Sequence, residues 1–575
     1  MSKPRTVTRR LDLLRFLKQA HAFPYHYSHS HDLPQVLPSS LSIAPAKSPV
    51  YVLGNPSADL DSIISAIIYS YFATRAVPAG PSTIASSPGR QGNDMVLRQH
   101  IPLINLPDVH AGQELKRLRP EFFTALGLAV GWDGSRATGD GSLAKRGTDE
   151  VEALEGSVLT VADLKERLLL SALGSPGDAC RRSENEASDR RGYNEAASRR
   201  TSHAADEQTN LDVMMVDWNT LPKLPLNGGK GGIEGLSDAL PGLVISVVGC
   251  IDHHDNESFV PREPASHPHD PYCIQTGVGS CMSLVVRELR AQGLWADNVS
   301  FSDPCAALDE ETPADETAIY EAQAAKLAMA AILIDTVNMT AKSKVSAVDT
   351  AAVAFLEAKI QAGVDAHLRS KSQSSAAGAS WDRQSFYDAI ALTKENSVEN
   401  LTVLEVLGRD YKEWTEIIAT KTEPPGINHT KTVKLGICSI VKPLSWLMEK
   451  CDRESKDVAP NDTFFKYLSS FAAEKNLDLL VVMTAFRTPE PKAGFRRELL
   501  LYALNRKCLN GVERFHAVAV GELGLEEGIW TGHFTFPVFD DRDGSYLRVW
   551  RQIDVSKSRK QVAPLLRETL RGVGV

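Results

Sequence analysis

Short apolar runs alternate with helical apolar patterns through the first two thirds of the chain. This alternation predicts strands followed by helices, as in an α/β domain built on a parallel sheet. The runs that predict strands are 49–53, 98–106, 211–216 and 244–251, and the patterns that predict helices are 63–71, 281–289 and 316–334. A basic amphipathic segment at 11–19 predicts one more helix before the first strand.

Side chains that can bind metal or move protons follow several of these apolar segments. Asp252, His253 and His254 come directly after the run that ends at Ile251. The others are Asp59 and Asp61 after the first strand, Asp217 after 211–216, and Asp335 after 316–334. Because open α/β sheets bind ligands at the carboxyl ends of their strands, the convergence of four such cases predicts a site.

Each case taken alone also has a simpler interpretation. A surface turn can contain histidine by chance, and an Asp at a helix start can be an N-cap. A cap needs only one of Asp59 and Asp61, however, and Gly54-Asn55-Pro56 before them predicts a tight backbone loop. The glycines at 277–280 could expose amides to a phosphate, but the interpretation favoured here is that they only allow a helix to begin.

The last third of the chain carries a second α/β pattern. Ser, Ala and Gly predominate at 370–380, which predicts a linker between a domain at 1–369 and a domain at 381–575. Strands are predicted at 433–440 and 477–484. Basic residues gather at Arg487, Lys492, Arg496, Arg497, Arg506 and Lys507, and again at 557–560. Such runs usually form a solvated face, but beside a carboxylate-rich metal site they could bind a polyanion.

A segment of different composition interrupts the first domain at about 131–210, where Gly, Ser, Ala, Asp, Glu and Arg predominate. Its part from 175 to 208 has almost no large apolar residue, so it cannot bury enough surface to order itself. We therefore predict a disordered insertion, within which 158–170 could still pack as a helix.

Length and composition indicate an ordinary soluble protein with more than one domain. The 575 residues exceed one core, and 43% are hydrophobic and 23% charged. A net charge of −9 argues against general nucleic-acid or membrane-surface binding. Eight cysteines without a C-x-x-C pair predict a reducing, cytoplasmic location, with a mitochondrial presequence at 8–23 as the alternative. No apolar run approaches the ~20 residues that span a bilayer.

Taken together, the motifs resemble the DHH phosphoesterase superfamily. The segments 55–62, 216–217, 251–254 and 334–336 resemble its first to fourth motifs in order. In the C-terminal part, 410–414 and 558–561 resemble the phosphate-binding motifs of the DHHA2 type. The resemblance covers nearly the whole chain outside the predicted insertion.

The resemblance implies an α/β fold with an N-terminal parallel-sheet DHH domain, a smaller C-terminal α/β DHHA2 domain, and the active site in the cleft between them. It implies two divalent cations, Mg²⁺ or Mn²⁺ with Co²⁺ as a third candidate, and such cations favour oxygen and nitrogen ligands. The implied ligands are Asp59, Asp61, Asp217, His253 and Asp335, with Asp217 bridging both ions and Asp252 hydrogen-bonding a ligand. His254 is the implied proton donor to the leaving phosphate oxygen. The implied phosphate-binding residues are Lys412, Arg559 and Lys560, with Arg496 and Arg497 for the rest of a long chain.

Asn55 distinguishes between branches of the superfamily. Family II pyrophosphatases carry a metal-binding histidine at that position, whereas an asparagine there resembles the fungal cytosolic exopolyphosphatases. The resemblance implies release of orthophosphate from the end of inorganic polyphosphate. Three alternatives stay open: a family II-like pyrophosphatase, a phosphodiesterase of small oligonucleotides, and a prune-like short-chain polyphosphatase or interaction protein. Few aromatic residues in the C-terminal part disfavour base stacking, and His254, which prune proteins tend to lose, is present.

Overall fold

The structure is a computed structural model that describes residues 12–22, 44–45, 49–78, 95–131, 157–173, 209–221, 231–260, 270–297, 314–370, 381–419, 430–455, 460–488, 494–527 and 546–572. The chain divides into two compact units, Met1–Ala391 and Leu392–Val575. Each unit has its own sheet and hydrophobic core. Apart from Ser370, the predicted linker lies outside the described residues. The predicted domain boundaries and the location of the site between the domains therefore stay predictions.

The first unit is built on a six-stranded sheet in which every neighbouring pair of strands is parallel. The described strands are β1 (Ala44–Pro45), β2 (Val50–Leu53), β3 (Arg75–Pro78), β4 (Met95–Arg98), β5 (His100–Ile104), β6 (Leu159–Thr160), β7 (Thr209–Val216), β8 (Leu243–Asp252) and β9 (Tyr272–Ile274). The sheet order is β6-β5-β2-β7-β8-β9, and β1, β4 and β3 form a separate sheet. The predicted N-terminal parallel sheet is confirmed.

Helices cover this sheet and explain why its strands are continuous apolar runs. The described helices are α1 (Leu13–His21), α2 (Leu60–Ala73), α3 (Gln113–Leu118), α4 (Pro120–Val130), α5 (Val161–Leu173), α6 (Leu236–Ala239), α7 (Cys281–Ala291), α8 (Ala314–Thr336) and α9 (Ala347–Ser370). All residues of β2 and α2 are buried. A parallel strand covered on both faces has no polar side, so it shows no alternation of polar and apolar residues.

Helix α8 corrects the prediction that no segment is long enough to span a bilayer. By length and composition its 23 residues could cross a membrane, with a mean hydropathy of 1.3 in the apolar window. However, 72% of that window is buried inside the protein. Apart from Lys326, the residues from Ala324 to Leu333 belong to the hydrophobic core of the first unit, so α8 has the surroundings of a core helix.

Part of the predicted insertion is ordered. Residues 157–173 form β6 and α5, and β6 pairs in parallel with β5 at the edge of the main sheet. The helix expected at 158–170 is therefore found, at Val161–Leu173. β7 also begins at Thr209, just inside the predicted insertion. The remainder of 131–210 beyond Gly131 lies outside the described residues.

The second unit contains a seven-stranded mixed sheet. Helix α10 (Arg383–Asn396) crosses the division between the units, and it is followed by α11 (Val403–Arg409), β10 (Tyr411–Ala419), β11 (Thr430–Ile440), α12 (Leu444–Glu454), α13 (Pro460–Glu474), β12 (Leu479–Thr484), β13 (Phe486–Thr488), β14 (Gly494–Ala503), the 3₁₀ turn Arg506–Cys508, α14 (Leu509–Glu522), β15 (Leu525–Glu526), β16 (Tyr546–Gln552) and α15 (Arg559–Arg571). The order is β10-β11-β12-β14-β16-β15, with β13 paired to β14. Together with the parallel sheet, this second α/β sheet confirms the predicted fold class.

The two faces of the second sheet differ in their neighbours. Directly paired residues point to the same face, and consecutive residues point to opposite faces. By the registers, Lys412, Ser439 and Arg497 share one face with Leu435 and Leu499. That face packs against α14 and α15 in the core of the unit. We call it the α15 face.

Candidate metal centre

The loop between β2 and α2 positions the first two acidic residues. The Asp59 carboxylate accepts a hydrogen bond from Ser62 N at 3.0 Å and caps α2, as the simpler interpretation of the sequence expected. Asp61 lies in the first turn and is buried. A side chain at Gly54 would clash, because its Cβ would lie 2.7 Å from Ser62 Cβ. Glycine therefore allows the end of β2 to contact the start of α2.

Asp61 is held by the turn that begins α7. Its Oδ1 accepts hydrogen bonds from Ser280 Oγ at 2.9 Å and Met282 N at 3.0 Å, and its Oδ2 accepts one from Cys281 N at 2.7 Å. Burial raises the pKa of the Asp61 carboxyl well above its usual range, and the neighbouring charge and hydrogen bond of Asp335 raise it further. Carboxylates crowded away from water repel one another, and a bound cation would relieve that repulsion.

Asp217 lies at the centre of the cluster and has an unusual backbone conformation. Its φ is +56°, a left-handed value that is strained for most residues other than glycine and often occurs at functional sites. The Oδ2 atom accepts hydrogen bonds from Asn55 Nδ2 and Ser62 Oγ, both at 2.7 Å. The Oδ1 atom lies 3.1 Å from His253 Nε2. Asp217 thus joins the first and third motifs of the sequence.

His253 has the orientation of a metal ligand. Its Nδ1 donates to the carbonyl oxygen of Val278 at 3.1 Å, a bond that requires a proton on Nδ1. Its Nε2 faces Asp217 Oδ1 at 3.1 Å and Asp61 Oδ2 at 3.9 Å. In the neutral tautomer, Nε2 therefore directs a lone pair toward carboxylate oxygens. A backbone carbonyl that orients the imidazole in this way is a common partner of metal-binding histidines.

His254 is adjacent to His253 and its Nδ1 also lies 3.6 Å from Asp217 Oδ1, but its nearest partner is Asp252. Its Nδ1 lies 2.8 Å from Asp252 Oδ1, and its side chain is 26% exposed. Asp252 Oδ1 also accepts hydrogen bonds from the backbone N–H groups of both histidines, and Asn219 Nδ2 donates to Asp252 Oδ2. Asp252 therefore holds the double-histidine turn, and His254 is the more accessible of the two rings.

The structure brings together all five predicted metal ligands in the first unit. Asp217, His253 and His254 offer ligand atoms within 4.8 Å of one another. Asp61 lies beside them, and Asp335 and Asp59 are near enough to raise the pKa of Asp61. β2, β7 and β8 are adjacent in the sheet, which explains how residues distant in sequence meet. Asp335 was expected directly after the helix predicted at 316–334, and it lies in the last turn of that helix, α8.

Asn55 acts as a hydrogen-bond donor in this arrangement. Its Oδ1 accepts from Ser57 N at 2.8 Å, and this contact fixes the amide orientation because a backbone N–H can only donate. Its Nδ2 therefore faces Asp217 Oδ2 at 2.7 Å and Asp59 Oδ2 at 3.4 Å. The amide supports two acidic residues, whereas the sequence interpretation treated this position only by comparison with a ligand histidine.

Arg119 is a further contributor that the sequence did not reveal. Its Nε donates to the carbonyl oxygen of Ala58 at 2.8 Å, and its second guanidinium nitrogen donates to that of Ser57 at 2.6 Å. Ala58 has a φ of +44°, so this buried guanidinium stabilises a strained segment of the acidic loop. Because Arg119 contacts backbone carbonyl oxygens of that loop, no motif marks it.

In the second unit, Arg559 and Lys412 lie beside the same carboxylate. One Arg559 nitrogen is 2.7 Å from Asp410 Oδ1, and another donates to Asp410 O at 2.9 Å and to Ser439 Oγ at 3.3 Å. Burial would raise the pKa of the Asp410 carboxyl, but the Arg559 and Lys412 charges lower it below its usual range. Lys560 follows Arg559 in the first turn of α15. Gln561 closes the capping box with Ser558.

The structure separates the other two predicted phosphate-binding residues. Arg497 is on the α15 face, and its Nε donates to the carbonyl oxygen of Val555 at 2.9 Å. Burial lowers the pKa of Arg497 to about 10. Arg496 is exposed and, as the preceding residue of β14, points to the opposite face. The five predicted residues therefore do not form one group.

These features define a two-domain α/β protein with a carboxylate–histidine cluster suited to divalent cations. Residues 391–569 match the DHHA2 domain family. A Schizosaccharomyces pombe protein named "Putative exopolyphosphatase" is 24% identical over 537 residues, which cover 93% of this chain and 94% of the relative. The crystal structure of a Methanococcus jannaschii "putative family II inorganic pyrophosphatase" is 15% identical, covers 63% of this chain and 81% of that chain, and has a TM-score of 0.33. Residues 391–569 therefore form a domain of the DHHA2 family.

Proposed function

We propose that this protein is an exopolyphosphatase, which hydrolyses the terminal phosphoanhydride bond of inorganic polyphosphate and releases orthophosphate. The observation that carries the proposal is the buried cluster of Asp61, Asp217 and His253, with Asp59 and Asp335 beside it. The name of the S. pombe relative, which aligns over 93% of this chain, supports polyphosphate as the substrate.

The donor set fits Mg²⁺ or Mn²⁺, because it combines carboxylate oxygens with an imidazole whose Nε2 faces them. The proposed ligands are Asp59, Asp61, Asp217, His253 and Asp335. Asp217 contacts Asn55 and Ser62 of the first motif through Oδ2 and faces His253 of the third motif through Oδ1. When bound, divalent cations supply Lewis acidity to the attacked phosphoryl group and to the attacking water. The protein holds the ligands in place through Val278, Ser280 and Ser62.

His254 is the proposed proton donor. In the reaction, a bond forms between the water oxygen and the terminal phosphorus. The bond between that phosphorus and the bridging oxygen breaks, and the bridging oxygen departs as part of the shortened polyphosphate. The leaving oxygen then gains a proton. Asp252 fixes the ring of His254 through Nδ1 at 2.8 Å, and the ring is partly exposed, so a substrate oxygen can reach it.

Lys412, Arg559 and Lys560 are the proposed phosphate-binding residues of the second unit. Arg559 lies at the start of α15, where backbone N–H groups also favour anions. Arg497 is on the same face, where its Nε donates to the carbonyl oxygen of Val555. A guanidinium can bind two phosphate oxygens at once, which suits it to the repeated anionic groups of polyphosphate.

The test is a comparison of substrates for the full chain. Orthophosphate release would be measured from long polyphosphate, tripolyphosphate, pyrophosphate and a dinucleotide, each with Mg²⁺ or Mn²⁺. We expect the highest kcat/KM for polyphosphate, and we expect the metal-free protein to hydrolyse no substrate. Faster hydrolysis of pyrophosphate would favour the pyrophosphatase alternative, and cleavage of the dinucleotide would favour a phosphodiesterase. No hydrolysis of any substrate by the metal-loaded protein would favour a prune-like interaction protein.

A further inference from the structure

We infer that Asp349 is a positioning residue that holds two proposed metal ligands, His253 and Asp61, through a single turn of the chain. The turn comprises residues 278–282, at the start of α7. The inference rests on the proposed function, because it assumes that His253 and Asp61 bind a cation. Asp349 lies in the first turn of α9, outside every motif identified in the sequence.

The carboxylate of Asp349 is fully buried and contacts the turn directly. Its Oδ2 accepts a hydrogen bond from Gly279 N at 2.9 Å. Its Oδ1 accepts hydrogen bonds from Ser280 N at 3.3 Å and from Ser283 Oγ at 2.7 Å. Both oxygens therefore bind the segment that leads into α7. An anion at the start of a helix is also stabilised by the helix dipole.

The same turn contacts the proposed metal ligands on its other side. The carbonyl oxygen of Val278 accepts the Nδ1 proton of His253 at 3.1 Å, and this contact sets the tautomer of the ring. Ser280 Oγ donates to Asp61 Oδ1 at 2.9 Å, and the next backbone N–H groups also donate to Asp61. Asp349 binds the residues between these contacts, so its removal should release both ligands together.

The turn is also closely packed against the elements that carry Asp335 and Asp349. An added Cβ at Gly279 would lie 2.7 Å from Thr336 Cγ2, 3.0 Å from Lys344 O and 3.1 Å from Asp349 Oδ2. The turn therefore lies directly against the end of α8 and the start of α9. Thr336 follows the proposed ligand Asp335, so the same packing contact brings the fourth motif near the turn.

A purely structural role is the alternative, because Asp349 also caps its own helix. Its Oδ2 accepts hydrogen bonds from Ser346 N at 2.8 Å and Ser346 Oγ at 2.6 Å, and Asp349 N donates to Ser346 Oγ at 3.3 Å. A cap of this kind stabilises α9 without any effect on metal binding. Ser346→Ala removes the hydroxyl half of the cap and leaves the contacts between Asp349 and the turn. It is therefore the matched control.

The experiment compares Asp349→Asn with Ser346→Ala in the metal-stripped full chain. Asparagine keeps the shape of the side chain but turns an NH₂ group toward the N–H of Gly279 or Ser280. Mn²⁺ binding would be measured by isothermal titration calorimetry, and thermal unfolding by calorimetry without metal. We expect Asp349→Asn to raise the Kd for Mn²⁺ by about tenfold or more, the size seen when groups that orient metal ligands are removed. Ser346→Ala should leave the Kd within about twofold even where its Tm falls, because a cap acts on stability alone.

The outcomes separate this inference from the proposed function. If the wild type binds no Mn²⁺, both are wrong. If the wild type binds Mn²⁺ and the Kd of Asp349→Asn matches that of Ser346→Ala, only the positioning role is wrong. Should Asp349→Asn fail to fold, Ser283→Ala decides, because it removes one contact between Asp349 and α7. A Kd for Ser283→Ala above that of Ser346→Ala supports the inference, and an equal Kd overturns it.

Discussion

His253 and His254 are neighbours in sequence, yet the structure gives them different surroundings. His253 is buried between the carbonyl of Val278 and the carboxylate of Asp217. His254 is partly exposed and bound to Asp252. Each ring is held by a partner at its own Nδ1. Two neighbouring rings at the end of one strand can therefore have different roles, His253 as a metal ligand and His254 as an acid.

These surroundings predict that replacing each histidine by glutamine affects a different quantity. His253→Gln should weaken Mn²⁺ binding about tenfold or more, since it removes a proposed ligand. His254→Gln should leave the Kd for Mn²⁺ nearly unchanged and lower kcat by about 100-fold, the lower end of the contribution of a positioned proton donor. Calorimetric Mn²⁺ titration and orthophosphate release from polyphosphate measure the two quantities. An equal loss of Mn²⁺ affinity in both variants would contradict the separate roles.

Some residues of the candidate metal centre could be predicted from the sequence and others could not. Asp61, Asp217 and His253 could be predicted from the sequence because they follow apolar segments, where an ionisable residue is conspicuous. Arg119, Asn219 and Asp349 could not, because each acts through backbone groups or through another side chain. Asn219 had a faint signal, as it lies two residues after Asp217. Whether the predicted ligands bind metal stays a prediction that the titrations above test.

Among the secondary-structure elements, α8 agrees with its predicted pattern but continues past it. The sequence predicted a helix at 316–334 with Asp335 directly after it, and the structure extends the helix to Thr336, so Asp335 lies in its last turn. The exact end of a helix is poorly defined by an apolar pattern, because the polar residue that follows the last apolar one can still continue the helix. The carboxylate still reaches Asp61, since the helix ends near the start of α2 and α7.

Glu498 on β14 gives an element of the second unit a pH-dependent stability. Its Oε2 accepts hydrogen bonds from Leu444 N, the first residue of α12, at 2.7 Å and from Thr484 Oγ1 at 3.3 Å. Burial raises the pKa of the Glu498 carboxyl from its usual 4.5 to about 7. Between these two values the folded protein keeps a proton that the unfolded chain has lost. Stability therefore decreases as the pH rises from about 4.5 to about 7, and stays lower above it.

Glu498→Gln should remove this dependence. The amide oxygen can still accept both hydrogen bonds, and the amide carries no charge at any pH. We expect a gain in the free energy of unfolding at pH 8 of up to about 3 kcal/mol relative to the wild type, and little gain at pH 4.5. Thermal unfolding at both pH values measures it, with Glu568→Gln on the exposed surface of α15 as the control. A gain of equal size at both pH values would show that the Glu498 charge is not the cause.

Across the full chain, part of the order of elements could be predicted and the arrangement of side chains around them could not. Apolar runs and their spacing identified β2, β5, β7 and β8 of the first unit and β11 and β12 of the second. The basic residues near 490–510 were grouped by sequence distance alone. In a strand, however, adjacent residues point to opposite faces, so sequence distance misleads.

The structure divides that basic group by its contacts. Arg497 binds the carbonyl of Val555, and Lys507 is paired with Asp478 at 2.8 Å. Arg487 and Arg496 are both exposed. Arg487 pairs with Phe495, which is two residues from Arg497 and therefore on the α15 face. Arg496 pairs with Phe486 and points the other way.

This division yields a prediction about long substrates. If polyphosphate extends from Arg559 on the side of the α15 face, beyond the part that α14 and α15 cover, it can reach Arg487 but not Arg496. Arg487→Gln should then raise the KM for long polyphosphate by about two- to fivefold, as expected for one exposed charge, while Arg496→Gln leaves it unchanged. Both variants should hydrolyse tripolyphosphate like the wild type, because a short chain does not extend to β13. The increase of KM with salt should also be shallower in Arg487→Gln, since one screened contact has been removed. Steady-state kinetics at two salt concentrations test this, and an equal effect of the two variants would mean that the substrate does not follow the α15 face.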